Sequence, residues 1–196
     1  MVFMMPWLTI RILDRSIKQA NEIKMRSLYL IFMVLLLSAC TGLPDGVQPV
    51  DNFDMDRYLG KWYEIARLDH SFERGLNNVS AEYTLRDDGG VSVLNTGYDI
   101  ENKQWKSATG KAYFVDRKNR GHLKVSFFGP FYGSYVIFDL DKKDYSYAYI
   151  AGYDKSNLWL LARTPRVSEN RLREFTKQAK VLGFDTDELI YVKHDQ

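Results

Sequence analysis

The chain has 196 residues, of which 45% are hydrophobic and 14% are aromatic, which is enough for one domain with a sizeable core. Its 27 basic residues nearly balance its 25 acidic ones, giving a formal net charge of +2 without a basic block, so we exclude nucleic acid as a partner. The single cysteine, Cys40, excludes an internal disulfide and a cysteine metal cluster.

An apolar run precedes Cys40 and is the first predicted element. Residues 28–39 are too few to span a bilayer, which takes about twenty apolar residues, and Lys24 and Arg26 flank the run on its N-terminal side. This arrangement is typical of a signal peptide. We therefore predict that residues 1–39 are an N-terminal extension and a signal peptide, with residues 1–24 preceding a better translation start.

The residues around Cys40 carry a more specific signal. The sequence LSAC at 37–40 resembles a bacterial lipobox, which implies cleavage before Cys40 and attachment of lipid to its thiol. The alternative is an ordinary signal peptide with a chance cysteine. By the same resemblance to lipoproteins, Thr41 after the cysteine implies sorting to the outer membrane.

Residues 40–51 form the next predicted segment. They are rich in Gly and Pro and show no hydrophobic periodicity, which predicts a lipidated tether. The folded domain is predicted to occupy residues 52–196, and residues 54–58 can form one helical turn before the first strand.

Short alternating runs separated by turn residues follow Gly60 and predict an antiparallel β-sheet. The clearest hairpin turns are DDGG at 87–90 and the segment 117–121. Eight strands are predicted, at residues 62–66, 79–85, 91–98, 105–115, 122–128, 134–140, 145–152 and 158–164. Eight strands close into an up-and-down β-barrel whose interior can hold one small ligand, so the predicted fold class is all-β.

The hydrophobic period changes to that of a helix after Pro165. Ser168 is the predicted N-cap, and Gly183 is the predicted end. One face of this helix carries the apolar residues Leu172, Phe175, Ala179 and Leu182. We expect this face to pack outside the barrel, although a partner or a membrane could also cover it. A short strand is predicted at residues 189–192.

Gly60, Trp62 and Arg163 are predicted to close one end of the barrel. Gly60 frees the backbone to turn into the first strand, and Trp62 is large enough to plug a small barrel. Arg163 lies on the last predicted strand, where a buried guanidinium is costly unless it stacks on an aromatic ring and donates to carbonyl oxygens. We therefore predict a structural stack of Arg163 on Trp62.

These residues lie within motifs that resemble the lipocalin family. The motifs are GKWYEIAR at 60–67, FERG at 72–75, GKAYF at 110–114, FFGPFYG at 127–133 and Arg163 on the last strand. The similarity is strongest to bacterial outer-membrane lipoprotein lipocalins, relatives of apolipoprotein D, and it covers residues 52–193. The family's second motif survives only as LDK at 140–142, and the disulfides of animal lipocalins are absent.

The resemblance implies an eight-stranded barrel with one C-terminal helix outside it. It further implies a fatty acid or lysophospholipid as the ligand and a lipid anchor on the periplasmic side of the bacterial outer membrane. A homodimer is left open as a further partner, and no cofactor is implied.

Strand parity, anchored on Trp62 and Arg163, separates a lumen face from an outer face. The predicted lining residues are Ala81, Tyr83, Val93, Asn95, Ala112, Phe114, Leu123, Val125, Phe127, Tyr135, Ile137, Trp159 and Leu161. Small residues among them are expected to leave a cavity. The open end is predicted to be framed by residues 68–78, 98–104, 129–132 and 153–157.

Two further interpretations remain beside that of a ligand carrier. The first is a structural or interaction lipoprotein with a filled barrel and no ligand. The second interpretation, an enzyme, is not expected, because neither H-E-x-x-H nor G-x-S-x-G occurs and the adjacent residues 69–71 cannot form a triad.

Residues 127–133 concentrate four aromatic side chains. These are either packed within a hairpin or form an apolar lip that guides acyl chains or touches a membrane.

Overall fold

The computed structural model describes residues 24–26 and 41–195. Cys40 and most of the predicted signal peptide lie outside the described residues. Of the helices within the described ranges, none combines the length and the apolar character needed to cross a membrane.

Eight antiparallel strands form the barrel, and each pairs with its neighbour in sequence. They are β1 (Gly60–Arg67), β2 (Leu76–Leu85), β3 (Val91–Asp99), β4 (Gln104–Phe114), β5 (His122–Ser126), β6 (Gly133–Leu140), β7 (Tyr147–Ala151) and β8 (Leu158–Ala162). β1 closes the barrel because it pairs with both β2 and β8. A short ninth strand, β9 (Ile190–Tyr191), pairs with the end of β1. The predicted up-and-down barrel is confirmed.

Two helices flank the strands, and each begins at a capped residue. Before β1 lies α1 (Met55–Tyr58), where the Asp54 side chain accepts a hydrogen bond from the Asp56 N–H. After β8 lies α2 (Glu169–Val181), where Ser168 accepts from the Arg171 N–H. Gly183 follows α2 with a φ of 82°, which only glycine adopts readily, so the predicted start and end of this helix are confirmed. A 3₁₀ turn at Thr186–Glu188 precedes β9.

Side chains alternate between the two faces of each strand, so the apolar ones form two separate clusters. The outer cluster lies between the barrel wall and α2, where Phe175 and Ala179 are fully buried. The barrel side of this cluster includes Leu158, Leu160 and Ala162. The predicted position of the helix outside the barrel is confirmed. The inner cluster surrounds Trp62 and fills the closed half of the barrel.

A bulge in β1 changes which of its residues share a face. The register of β1 against β8 shifts between Glu64 and Ala66, so Ile65 is the extra residue. Ile65 and Ala66 both belong to the outer cluster. Because two consecutive residues face outward, Glu64 and Arg67 lie on the same side and form a hydrogen bond at 2.7 Å.

The segment predicted to be a tether lies against the barrel wall in its described part. Val47 is fully buried in the outer cluster. Val50 donates a backbone hydrogen bond to Ile137 and accepts one from Gly121, at 2.9 and 2.8 Å. Nearer the N-terminus, the Gly42 carbonyl accepts a hydrogen bond of 2.6 Å from the Ser134 hydroxyl. The chain is therefore held on the barrel from about residue 42.

Candidate functional site

Trp62 and Arg163 close one end of the barrel. Trp62 is completely buried, and the Arg163 guanidinium carbon lies 4.0 Å from its ring centroid. The guanidinium also donates to the carbonyls of Arg57 and Lys61, at 2.7 and 3.0 Å. These contacts supply both the aromatic face and the acceptors that a partly buried cation needs.

The backbone at the closed end differs from the prediction in one respect. β8 ends at Ala162, so Arg163 lies just beyond the last strand rather than on it. Its N–H donates to the Ser146 carbonyl at 2.9 Å, and its side chain crosses the end of the barrel. Gly60 has a φ of 89°, which accounts for glycine where the chain turns into β1.

A cavity of about 290 Å³ occupies the open half of the barrel. This volume is close to the lower limit of about 300 Å³ for small-molecule sites. Nine of the thirteen predicted lining residues line it: Ala81, Tyr83, Val93, Asn95, Val125, Phe127, Tyr135, Trp159 and Leu161.

The other four predicted lining residues, Ala112, Phe114, Leu123 and Ile137, face the barrel interior but do not line the cavity. They pack in the closed half, in the same cluster as Trp62. The structure therefore places these four side chains on the lumen face but deeper in the barrel than the cavity. Strand parity fixes the face that a side chain occupies, whereas depth depends on how far the plug residues fill the barrel.

Two buried carboxyl groups line the cavity and were missed by the sequence prediction. Glu64 on β1 is 2% exposed, and Glu73 in the loop before β2 is 5% exposed. Arg67 donates to the Glu64 carboxyl at 2.7 Å and to the backbone carbonyl of Glu73 at 2.8 Å. The Trp159 indole N–H donates to Glu73 Oε2 at 3.2 Å, and His70 Nε2 lies 3.0 Å from the same oxygen. We call Glu64, Arg67, His70 and Glu73 the acidic cluster.

The pKa values of the two carboxyl groups in the acidic cluster are shifted in opposite directions. Burial raises the pKa of Glu64 well above its usual range, and the adjacent negative charge of Glu73 and a hydrogen bond with it add to this effect. Burial also opposes ionisation of Glu73, but hydrogen bonds from His70 and Glu64 outweigh it and lower the pKa of Glu73. These opposite shifts favour a proton on Glu64 rather than on Glu73.

Deeper in the barrel, three tyrosine hydroxyls are hydrogen-bonded to one another, and two of them, on Tyr83 and Tyr135, form the polar floor of the cavity. Tyr135 lies between Tyr58 and Tyr83, with oxygen–oxygen distances of 2.7 and 2.8 Å. Burial raises the pKa of all three phenols, so they remain neutral. Beside this floor, the buried Asn95 Oδ1 has no hydrogen-bond partner among the described residues. The floor of the cavity is therefore polar but carries no net charge, and it can form hydrogen bonds with a polar group of a ligand.

Exposed aromatic side chains surround the mouth of the cavity. Phe128 and Phe131 are each 72% exposed, whereas Phe127 on the same loop lines the cavity and packs at 5.0 Å against Phe72. The loops that include Phe72 and Tyr153 also contribute lining residues, as predicted for the open end. The turn between β3 and β4 lies at the same end of the barrel as these loops, but none of residues 98–104 lines the cavity itself.

The acidic cluster had a signal in the sequence. Glu64 is two residues from Trp62, so alternation alone places this carboxyl group on the lumen side. The contribution of Arg67 depends on the bulge, and that of Glu73 depends on the path of the loop. In the part of the chain that the structure describes, no three His, Cys, Asp or Glu side chains are arranged to hold a metal ion.

Comparisons with known proteins agree with this geometry. Residues 53–194 match the family model described as a lipocalin-like domain. The chain is 57% identical over 169 residues to outer membrane lipoprotein Blc of Vibrio cholerae serotype O1, an alignment that covers 86% of this chain and 99% of the relative. It is 49% identical to outer membrane lipoprotein Blc of Escherichia coli K12, with coverage of 83% and 90%.

A solved structure shows the same fold at lower sequence identity. Insecticyanin from the tobacco hornworm Manduca sexta aligns with a TM-score of 0.63 at 21% identity, over 79% of this chain and 88% of that one. The barrel is therefore shared with proteins whose sequences differ in most positions.

Proposed function

The chain belongs to the lipocalin family, and from that premise we propose that it is a lipid-anchored carrier that binds fatty acids or lysophospholipids at the bacterial outer membrane. The observation that carries this proposal is the cavity of about 290 Å³, lined mainly by apolar side chains and open at one end. Each buried methylene of an acyl chain contributes about 0.8 kcal/mol, which is sufficient for micromolar binding after the costs of association.

The location is proposed from two observations. The relatives that are 49% and 57% identical are named outer membrane lipoproteins. The lipobox-like sequence at 37–40 ends at the only cysteine of the chain. Together they support a lipid anchor at Cys40 that holds the barrel on the periplasmic side of the membrane.

The main alternative is a structural lipoprotein with a filled barrel. The cavity argues against it, because the interior of the described barrel is not filled by its own side chains. Native mass spectrometry of the protein purified from its own membrane separates the two. We expect a bound single-chain lipid under conditions that preserve the fold, and the same spectrum shows whether a homodimer forms.

Replacement of Ala81 by Trp tests the cavity directly. Ala81 lines the cavity and is 8% exposed, so an indole at this position takes the volume that an acyl chain needs. We expect Ala81→Trp to weaken binding of a fluorescent fatty acid at least about tenfold, or ~1.4 kcal/mol. Titration at equilibrium measures the loss.

Two variants control for effects other than occlusion. Glu82→Trp, at the next residue of β2, places the indole at an exposed position and should leave binding unchanged. Ala112→Trp places it in the closed half, where overpacking costs about 1–3 kcal/mol of stability without blocking the cavity. Unchanged binding by a folded Ala81→Trp variant would contradict the carrier function.

A further inference from the structure

We propose that the open end of the barrel is a membrane-docking surface, whose exposed aromatic side chains insert into the interfacial layer of a phospholipid bilayer. The mouth of the cavity then faces the bilayer directly. The proposal rests on the lipid anchor proposed for Cys40, because the anchor keeps this end of the barrel at the membrane.

The exposed aromatic side chains are confined to one end of the barrel. Within the described ranges, every exposed Phe, Trp or Tyr lies on a loop of the open end or on a strand end beside it: Phe72, Trp105, Phe128, Phe131, Tyr153 and Tyr191. At the closed end, the exposed large apolar side chains of the described chain are the smaller Leu85 and Val115. A concentration of exposed apolar side chains on one surface is typical of an interaction site.

The charges at the two ends differ in the same sense. The loop at 127–133 contains no charged residue, and Arg74 on a neighbouring open-end loop pairs with Asp69 at 2.6 Å. The closed-end turns at 86–90, 115–121 and 141–144 each contain three or four charged residues. Aromatic side chains are enriched at the membrane–water interface, where charged groups are disfavoured with depth. The open end therefore suits the surface of a bilayer, and it does not require anionic lipids.

The path of the chain indicates that a bilayer covers this end. The Gly42 carbonyl is bonded to the Ser134 hydroxyl at the start of β6, directly after the loop that exposes Phe128 and Phe131. From there the chain is fixed along the barrel wall, where Val47 is fully buried. Acyl chains attached just before this point enter the membrane beside the loop at 127–133. The anchor supplies retention, and the aromatic side chains supply orientation.

Two tryptophan reporters test the orientation in the whole lipoprotein, reconstituted in phosphatidylcholine vesicles. Phe128→Trp places an indole on the open-end loop, and Lys118→Trp places one at an exposed position of a closed-end turn. Lipids brominated along their acyl chains quench the fluorescence of indoles that contact them. We expect these lipids to remove most of the emission added by Phe128→Trp and none of that added by Lys118→Trp. Aqueous iodide should have the opposite effect.

Removal of the rings tests their contribution without the anchor. The full-length Cys40→Ser variant lacks the lipid, so its partition into vesicles reports the surface alone. In this background we expect Phe128→Ser combined with Phe131→Ser to lower partition at least about tenfold. Leu85→Ser combined with Val115→Ser removes exposed apolar side chains from the closed end and should leave partition unchanged.

The lipid composition of the vesicles separates apolar insertion from electrostatic attraction. Because opposite charges are paired at the open end, we expect equal partition into phosphatidylcholine and phosphatidylglycerol vesicles, with little effect of salt. Attraction to anionic headgroups would instead require phosphatidylglycerol and weaken as ionic strength rises, and it would overturn the proposal.

The outcomes distinguish this surface from the carrier function. Phe128 and Phe131 do not line the cavity, so their removal should leave binding of a fluorescent fatty acid from solution unchanged. If the unaltered protein binds no fatty acid from solution, the carrier function fails while the docking surface stands.

Three results would overturn the docking surface. The first is quenching of Lys118→Trp but not of Phe128→Trp by brominated lipid, and the second is unchanged partition after loss of both rings. The third is a soluble dimer that the ring substitutions dissociate without changing partition, which would assign these rings to a second copy of the chain. The reporters need no soluble form, so they decide the question even if Cys40→Ser remains unprocessed.

Discussion

At the scale of single residues, Trp62 and Arg163 depend on each other. The indole is completely buried and donates to the Tyr58 carbonyl at 2.7 Å, which leaves its face free for the guanidinium. Burial lowers the pKa of Arg163, because the charged form loses water that its neighbours only partly replace. The pair therefore stabilises the closed end and takes no part in lining the cavity.

Arg163→Ala should destabilise the barrel without changing its affinity for ligand. The lost cation–π contact is worth about 1–2 kcal/mol for a partly desolvated pair, and the backbone carbonyls of Arg57, Lys61 and Tyr145 lose their donors. A loss of this size lowers the melting temperature by roughly 2–8 °C in a domain of about 150 residues. Thermal denaturation and ligand titration measure the two effects.

Arg163→Lys is the matched control for this variant. Lysine keeps the charge but lacks the planar group that stacks on Trp62, so an intermediate melting temperature is expected. A loss of affinity in Arg163→Ala at an unchanged melting temperature would instead make Arg163 a ligand contact.

At the scale of secondary-structure elements, α2 is attached to the barrel by a narrow apolar stripe. Phe175 is fully buried, and its ring lies 4.9 Å from that of Tyr149 on β7 in an edge-to-face arrangement. The remaining surface of the helix is mostly exposed. Phe175 is therefore the largest fully buried side chain that joins α2 to the barrel.

Phe175→Ala should loosen α2 while preserving the cavity. Truncation of a buried phenylalanine costs about 3–5 kcal/mol, from lost transfer energy and the void that remains. We expect a lower midpoint in urea denaturation and faster hydrogen exchange in α2, with unchanged affinity for ligand because the helix lies outside the barrel. Arg173→Ala on the exposed face should alter neither measurement by more than about 0.5 kcal/mol. Weakened binding by a folded Phe175→Ala variant would show that the helix shapes the cavity.

Elements were predictable from the sequence where a local pattern determines them. Ser168 and Gly183 mark the ends of α2, and alternation placed Leu160 outside and Leu161 inside the barrel. Of the acidic cluster, only Glu64 was predictable from alternation, and the positions of Arg67 and Glu73 were not. The bulge in β1 cannot be recognised from the hydrophobic pattern of the sequence, since Ile65 and Ala66 are both apolar. Glu73 reaches the lumen only because its loop folds back over the end of the barrel.

At the scale of the whole molecule, the N-terminus of the barrel lies near the open end. The Gly42 carbonyl accepts a hydrogen bond from Ser134, which lines the cavity at the start of β6. Only Thr41 lies between Cys40 and Gly42. Two residue steps of an extended chain, at about 3.6 Å each, span roughly 7 Å at most. A lipid on Cys40 would therefore hold the mouth, with its exposed Phe128 and Phe131, next to the membrane.

Cys40→Ser tests the anchor together with this placement. Because the apolar run before Cys40 is too short to span a bilayer, the variant should leave the membrane fraction or remain unprocessed.

Since the described barrel does not depend on Cys40, the processed, soluble variant should bind a fluorescent fatty acid from solution with unchanged affinity. Its uptake of the same ligand from vesicles should be slower, because tethering raises the effective concentration of the mouth at the membrane. Fractionation, mass measurement and stopped-flow transfer report these effects. Normal membrane retention of Cys40→Ser at the mass of the unaltered protein would contradict lipidation, and equal uptake rates would show that the position of the mouth confers no advantage.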